Sequence, residues 1–339
     1  MALKLIDKWI WDSWFVFDGE KYHAFYLSAS RALSDPNRRH RHPIVGHAIS
    51  TDLTNWQVVV DALIVSDSPA FDSYTTWTGS VIKGDDGLWW MYYTGTSRED
   101  GGDVQTVGAA TSPDLMTWTK LGSDAMVAAD ARWYEKLGQS TWPDEAWRDP
   151  WVFKAKAGQL IGGENYNSLA GIAELASTLP LWHMLVTARS NVGLVATRGV
   201  MGHAVSTDQR NWQVLPPLSK VTDDFGQLEV FQYEIVDGVP IVIFCCGWRE
   251  LSPARQSSFG QRDATYSLVV GQDLTDIDFS RAGAFEERLV YAARLVNGPA
   301  GWVMIGFVNN EGPNGEFVGE LSDPIAVTAT FEKGLVPKH

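Results

Sequence analysis

Cysteine is nearly missing from this chain of 339 residues: there are two, Cys245 and Cys246, side by side in the apolar run VPIVIFCC. Neighbouring residues on a strand point to opposite faces, so the pair reads as two buried thiols rather than a disulfide. Basic charge is short as well. Lys and Arg number 27 against 41 Asp and Glu, a net charge of −14, and such a chain repels a phosphate backbone. Nucleic acid is therefore not an expected partner. No apolar run is long enough to span a bilayer, and the N-terminus MALKLIDKW lacks the apolar core of a signal peptide. No membrane partner is expected, and a cytoplasmic location is. Low-complexity tracts are missing too, and 45% hydrophobic with 20% charged residues is the composition of a globular chain.

Tryptophan and glycine are plentiful instead, at 16 and 31. That suits a β-rich fold with aromatic ligand surfaces and many turns. The stretch WIWDSWFVFDGEKYHAFYL, Trp9 to Leu27, reads as a strand, a turn at Asp18-Gly19 and a returning strand. Within it Asp12 sits among Trp9, Trp11 and Trp14, a costly place for a carboxylate unless it is hydrogen-bonded or used.

One supersecondary unit recurs. His47 to Val58, Gly108 to Thr119 and His203 to Val214 each read as a strand, a Ser/Thr-Asp turn and a short strand opening on Trp. A degenerate fourth copy spans Tyr266 to Phe279, with Gly271-Gln272-Asp273-Leu274 in place of the turn. Apolar strands precede the copies after the turns at 84–87 and at Asp237-Gly238, and another follows Asn297-Gly298-Pro299. Four strands per unit and roughly 65 residues per unit predict an all-β, five-bladed β-propeller as a single domain over 1–339. A β-sandwich with chance turn similarity is the architectural alternative. Residues 155–181 are too long for an ordinary blade turn and read as an insertion, with a short helix expected over Leu169 to Ala176.

The innermost strand of a propeller blade lines the central channel, so the blade openings are where polar groups matter. They are Trp11-Asp12-Ser13-Trp14, Trp77-Thr78-Gly79-Ser80, Arg148-Asp149-Pro150-Trp151, Gln227 to Gln232 and Tyr291-Ala292-Ala293-Arg294. Three of them carry an acid: Asp12, Asp149 and Glu229. Acids converging in a concave aromatic site are what glycoside hydrolysis requires, one as nucleophile and one as proton donor.

These strings carry a resemblance. WDSW resembles the nucleophile motif of glycoside hydrolase family 68, the levansucrases and inulosucrases. The longer opening stretch resembles that of family 32, the invertases and fructanases, although Trp11 and Ser13 stand where that family has Asn and Pro. WTGS resembles the second-blade motif of both, WRDPWVF their shared Arg-Asp-Pro motif, and YAARLVNGPAGWVMIGF a late family 32 segment. QLEVFQ holds the place of the acid/base glutamate, but Val230 and Phe231 follow it where family 68 has Arg-Pro and family 32 has Cys. Family 32 also adds a C-terminal β-sandwich, for which no room is expected here.

The resemblance implies Asp12 as nucleophile, Asp149 as transition-state stabiliser and Glu229 as general acid/base. Arg148 is implied to bind fructosyl hydroxyls and to keep Asp149 ionised, with Trp11, Trp77 and Ser80 as substrate contacts. Glu234 is the nearest rival acid. His40 and His42 belong to a basic loop rather than to a ligand set, and no cofactor or required metal is expected. The implied activity is that of a retaining β-fructofuranosidase on sucrose or small fructosides, with transfructosylation as a second outcome. The alternatives are an inverting arabinan- or xylan-type furanosidase, resembling family 43, and a non-catalytic sugar-binding propeller. Oligomeric state, linkage preference and the role of 155–181 are left open.

Overall fold

The computed structural model describes residues 3–285, 290–309 and 316–338. Its strands form five antiparallel sheets in chain order, each a blade. Blade one is β1 (Lys8–Phe17), β2 (Tyr22–Ser30), β3 (Ile44–Ser50) and β4 (Gln57–Val58). Blade two is β5 (Thr75–Lys83), β6 (Trp89–Thr96), β7 (Gln105–Ser112) and β8 (Thr119–Lys120). Blade three is β9 (Trp147–Lys154), β10 (Trp182–Arg189), β11 (Gly199–Ser206) and β12 (Gln213–Leu215). Blade four is β13 (Glu229–Val236), β14 (Val239–Cys246), β15 (Ala264–Val269) and β16 (Gly283–Ala284). Blade five is β17 (Tyr291–Gly298) and β18 (Gly301–Val308), with β19 (Glu320–Leu321) paired beside it, then β20 (Ile325–Thr330) and β21 (Gly334–Pro337). The first strand of each blade touches the next around a ring, and β17 closes against β1. The five-bladed propeller expected from the repeats is the fold.

The recurring turn has one local cause. Asp52, Asp114 and Asp208 each accept the backbone N–H groups two and three residues on through Oδ1, at 2.7–2.9 Å. Ser50, Ser112 and Ser206 each hold that carboxylate from two residues before, at 2.9–3.0 Å. The residue after each Asp then enters the left-handed region, at φ 62, 64 and 66° for Leu53, Leu115 and Gln209. The degenerate copy keeps this conformation at Leu274 (φ 51°) although its Asp273 carboxylate is engaged by Gln159 instead. Asp237 and Gly238, both at positive φ, make the two-residue hairpin between β13 and β14.

Fully buried indoles pack the blades together, among them Trp14, Trp90, Trp147 and Trp182. Each removes on the order of 200 Å² from water, roughly 5 kcal/mol apiece as an upper bound. Cys245 and Cys246 are both buried and free, one in the core facing blade one and the other in the core of blade four, as strand alternation requires. No helix among the described residues is long and apolar enough to cross a membrane.

The insertion forms two helices rather than one: α1 (Gly163–Leu169) and α2 (Ala173–Thr178). The break falls at Gly171, whose φ of +71° no continuous helix accommodates. Ile172, Ala176 and Leu181 pack on Val205 and Leu215 of blade three, and the Tyr166 hydroxyl meets His203 Nδ1 at 2.8 Å. Because it joins β9 to β10 six residues past Asp149, the insertion begins roughly 20 Å along the strand from that residue. It therefore covers its own blade and not the channel mouth. A third helix, α3 (Pro253–Phe259), lies in the connection from β14 to β15.

Candidate active site

Every innermost strand carries a β-bulge at the same depth. Trp11 and Asp12 together oppose Leu27, Asp149 and Pro150 oppose Val186, Val230 and Phe231 oppose Phe244, and Ala292 and Ala293 oppose Gly306. In β5 the extra residue is Thr78. Asp149, Val230 and Ala292 take positive φ, 58, 58 and 45°, which costs on the order of 1–3 kcal/mol in a non-glycine residue and persists only where surroundings enforce it. At Asp149 and Val230 two buried threonines enforce it. Thr94 Oγ1 accepts the Asp149 N–H at 2.9 Å and donates to the Thr78 carbonyl at 3.1 Å. Thr187 Oγ1 accepts the Val230 N–H at 3.3 Å and donates to Asp149 Oδ2 at 2.8 Å. Blades two, three and four are thereby locked together at the height where the acids emerge.

Asp12, Asp149 and Glu229 line one cavity of about 380 Å³. Asp12 is half-buried, and Oδ2 accepts the Thr78 hydroxyl. Burial, with the charges of Asp149 and Glu229, pushes the Asp12 carboxyl up to about 7, although Thr78 and Arg294 pull it down. Arg148 stands between the other two acids, with Nη2 2.6 Å from Glu229 Oε1 and Nε 3.4 Å from Asp149 Oδ2. It also donates to Gln105 Oε1 at 2.9 Å and to Gln227 Oε1. Burial opposes its charge, but Glu229 and Asp149 more than offset this and hold it above the usual guanidinium range. Arg148 was expected to keep Asp149 ionised. Its pull has that sign, yet burial outweighs it, the Asp149 carboxyl lies above its ordinary value, and the nearer carboxylate is Glu229. The second Glu229 oxygen accepts the Tyr291 hydroxyl at 2.5 Å.

Arg294 fills the axis below the acids. It is 1% exposed and donates to the carbonyls of Phe231 at 2.5 Å, Val230 at 3.4 Å and Gly79 at 3.3 Å. Burial brings its guanidinium down to about 10, so it stays charged near neutral pH, with Asp149 and Asp12 as the leading charges that support it.

Trp11 and Trp77 line the cavity as expected for apolar walls. The Trp77 indole N–H is anchored on the His40 carbonyl at 2.8 Å, in a 3₁₀ turn over Pro36–Arg41. Arg39 and His40 of that turn reach the cavity, so the basic loop is part of its wall. Burial, with Arg39 and Arg41 beside it, lowers His40 to about 3 and leaves it neutral. Ser80 departs from expectation. It is buried between blades, accepts the Val152 N–H at 3.2 Å and lies outside the cavity lining, because the Thr78 bulge ends the exposed part of β5. Glu234 also lies outside the lining and pairs with Gln232 at 3.1 Å. Sequence reasoning passed over Thr78, Gln105, Gln227, Tyr291 and Arg294. All but Gln105 stand in the blade-opening strings, so their position was the available signal.

The comparisons with known proteins agree with this architecture. Residues 8–168 match the family model of the glycosyl hydrolases family 32 N-terminal domain. "Beta-fructofuranosidase 1" of Zea mays is 37% identical over 83 residues, covering 24% of this chain and 12% of that protein. "Probable sucrose-6-phosphate hydrolase" of Psychromonas ingrahamii is 36% identical over 110 residues, covering 32% of this chain and 19% of that protein. The matches thus span less than a third of these relatives' own length. Among solved structures, the inulosucrase from Halalkalicoccus jeotgali bound to kestose aligns over 98% of this chain and 88% of its own, with TM-score 0.67 and 18% identity, a likeness of fold. Residues 8–168, just under half of the chain, are thus similar to the family 32 N-terminal domain, and the five blades share the fold of that inulosucrase.

Proposed function

We propose that this chain is a retaining β-fructofuranosidase-type glycoside hydrolase acting on sucrose or small fructosides, with transfer to an acceptor sugar as a second outcome. The observation that carries the reading is three acids from three blades in one sugar-sized cavity, with Arg148 between two of them. Asp12, ionised, attacks the fructosyl anomeric carbon while the bond to the leaving oxygen breaks and protonated Glu229 supplies the proton to that oxygen. Asp149 accepts sugar hydroxyls and steadies the positive charge that develops on the ring. Water or an acceptor hydroxyl then attacks the same carbon, Glu229 takes its proton, and the bond to Asp12 breaks. Two inversions give net retention, for which the Asp12 and Glu229 carboxyls are expected about 5–5.5 Å apart.

The relatives' names divide over the leaving group: one is called a fructofuranosidase, the other a hydrolase of a phosphorylated sucrose. The comparisons give no support to the arabinan- or xylan-type reading or to the non-catalytic one. The test is incubation with sucrose, fructo-oligosaccharides, levan and an aryl arabinofuranoside, with products resolved by chromatography. Fructose release, or fructosyl transfer, is expected from the first group, with retained configuration. Asp12→Ala and Glu229→Ala are each expected to abolish turnover in a folded protein, and full activity in either refutes the assignment.

A further inference from the structure

Glu229 donates toward the leaving group, so the wall around Glu229 faces the sugar that departs. That wall comes from two connections: residues just before β9 supply Trp142 and Asp144, and the link from β14 to β15 supplies Glu250 and Asp263. Trp142 is held as a platform. The Arg189 guanidinium lies 3.5 Å from its ring centroid, is fully buried, and is fixed by Glu135 at 2.8 Å and the Gly226 carbonyl at 2.5 Å. A side chain at position 226 would come within 3.2 Å of the indole, so glycine there lets the ring settle on backbone. The indole N–H is anchored on Asp144 Oδ1 at 3.2 Å. With one face covered, the ring has the other to offer to the C–H face of a sugar.

The polar part of this wall is acidic. Asp263 is oriented by the Trp248 N–H and the Asn309 amide, both at 2.9 Å. Glu250 Oε2 is buried without a hydrogen-bond partner, an acceptor and donor position left for a ligand hydroxyl. Burial, with the fields of Glu229, Asp144 and Asp263, pushes the Glu250 carboxyl up to about 8, the form that donates to a hydroxyl. None of the cations that line the cavity among the described residues stands unpaired on this wall. Arg148 is taken by two acids and two glutamines, His40 is neutral, and Arg39 stacks 3.8 Å from the Phe317 ring on the side of Trp11 and Asp12.

Resting on the fructosidase reading, we propose that Trp142, Asp144, Glu250 and Asp263 form the site of the departing or accepting sugar, that this sugar is uncharged, and that one bearing a phosphate is rejected. A phosphate would bring about −1.5 to −2 of charge against Asp144 and Asp263, with no unpaired cation on this wall to meet it.

The test measures kcat/KM for sucrose and for sucrose phosphorylated on the glucosyl C6, in the wild type and in Asp144→Asn, Asp263→Asn and the remote charge control Asp223→Asn. The wild type is expected to favour sucrose at least tenfold. Asp144→Asn and Asp263→Asn are each expected to raise the phosphorylated-to-neutral ratio threefold or more, while Asp223→Asn leaves it in place. Equal or better turnover of the phosphorylated sugar by the wild type overturns the proposal, and so does a ratio in both pocket variants that follows the control. Turnover of neither sugar by the wild type overturns the fructosidase reading itself, and this inference with it.

Discussion

Removing one hydroxyl tests how Asp12, the proposed nucleophile, is kept ionised. Thr78 Oγ1 donates to Asp12 Oδ2, and its hydrogen bond is the leading influence that lowers a carboxyl which burial and Asp149 still hold up at about 7. Thr78→Val keeps the shape of a buried side chain and deletes that donor. A hydrogen bond to a charged group contributes about 1.5–3 kcal/mol, which is roughly one to two pH units at about 1.4 kcal/mol per unit. Since the bond favours the charged form, its loss moves the Asp12 carboxyl upward, never downward. The acid limb of kcat/KM against pH, set by ionisation of the nucleophile in the free enzyme, is therefore expected near pH 7 in the wild type. In Thr78→Val it moves about one to two units higher, so activity at pH 7 falls roughly five- to fiftyfold and recovers in part as pH rises. A limb that stays in place while activity drops equally at every pH refutes the reasoning and makes Thr78 a packing residue.

Two further outcomes concern the scaffold. Arg294→Met leaves the carbonyls of Gly79, Val230 and Phe231 without their donor and strips Asp12 and Asp149 of a buried positive neighbour. A loss of about 3–5 kcal/mol in urea unfolding is expected, together with an upward shift of the acid limb; unchanged stability would remove Arg294 from the core of the ring. His47 and His183 are fully buried, and burial lowers each to about 3 from 6.5. The unfolded chain then binds protons that the folded chain does not, so stability is intact above pH 6.5 and falls as pH drops toward 3. Each contributes about 2 kcal/mol of loss by pH 5, from about 1.4 kcal/mol per unit. Unfolding free energies at pH 7 and pH 5 are expected to show this fall, and His183→Gln to flatten it; an equal slope in that variant sinks the attribution.

What could be read in the sequence was what is decided within a few residues. The turns at Asp52, Asp114 and Asp208 close on backbone groups two and three positions away, so their recurrence is visible as a string and carries the blade count with it. Asp12, Asp149 and Glu229 were visible because each sits at a blade opening inside a recognisable motif. What was hidden depends on the partner strand. A bulge is defined by two residues facing one, and nothing in Thr-Gly-Ser at 78–80 states that Tyr93 pairs with Gly79 while Thr94 pairs with Trp77. That single extra residue separates Thr78, in the cavity, from Ser80, beneath it. The helix expected over Leu169 to Ala176 failed for a local reason, since the apolar spacing was right and Gly171 still turned the chain.

The bulges, the threonines and the two buried arginines answer one electrostatic demand. Three carboxylates gathered in a cavity would repel one another out of their charged forms, and the upward displacement of Asp12 and Asp149 is that repulsion together with burial. Arg148 and Arg294 offset two of the three charges, the first from the wall and the second from the axis. One net negative charge remains when all three acids are ionised. In the proposed reaction, full neutralisation would leave nothing to attract the positive charge that builds on a fructosyl ring as its leaving group departs, whereas a single surplus charge in a fixed, partly dry site is strongest where that charge appears. Under that reading, the Asp12 carboxyl near 7 is the expected companion of a site built for a cation that exists only at the transition state. Filling the axis with Arg294 while leaving the mouth acidic is how a closed ring of five strands confines that surplus to one end.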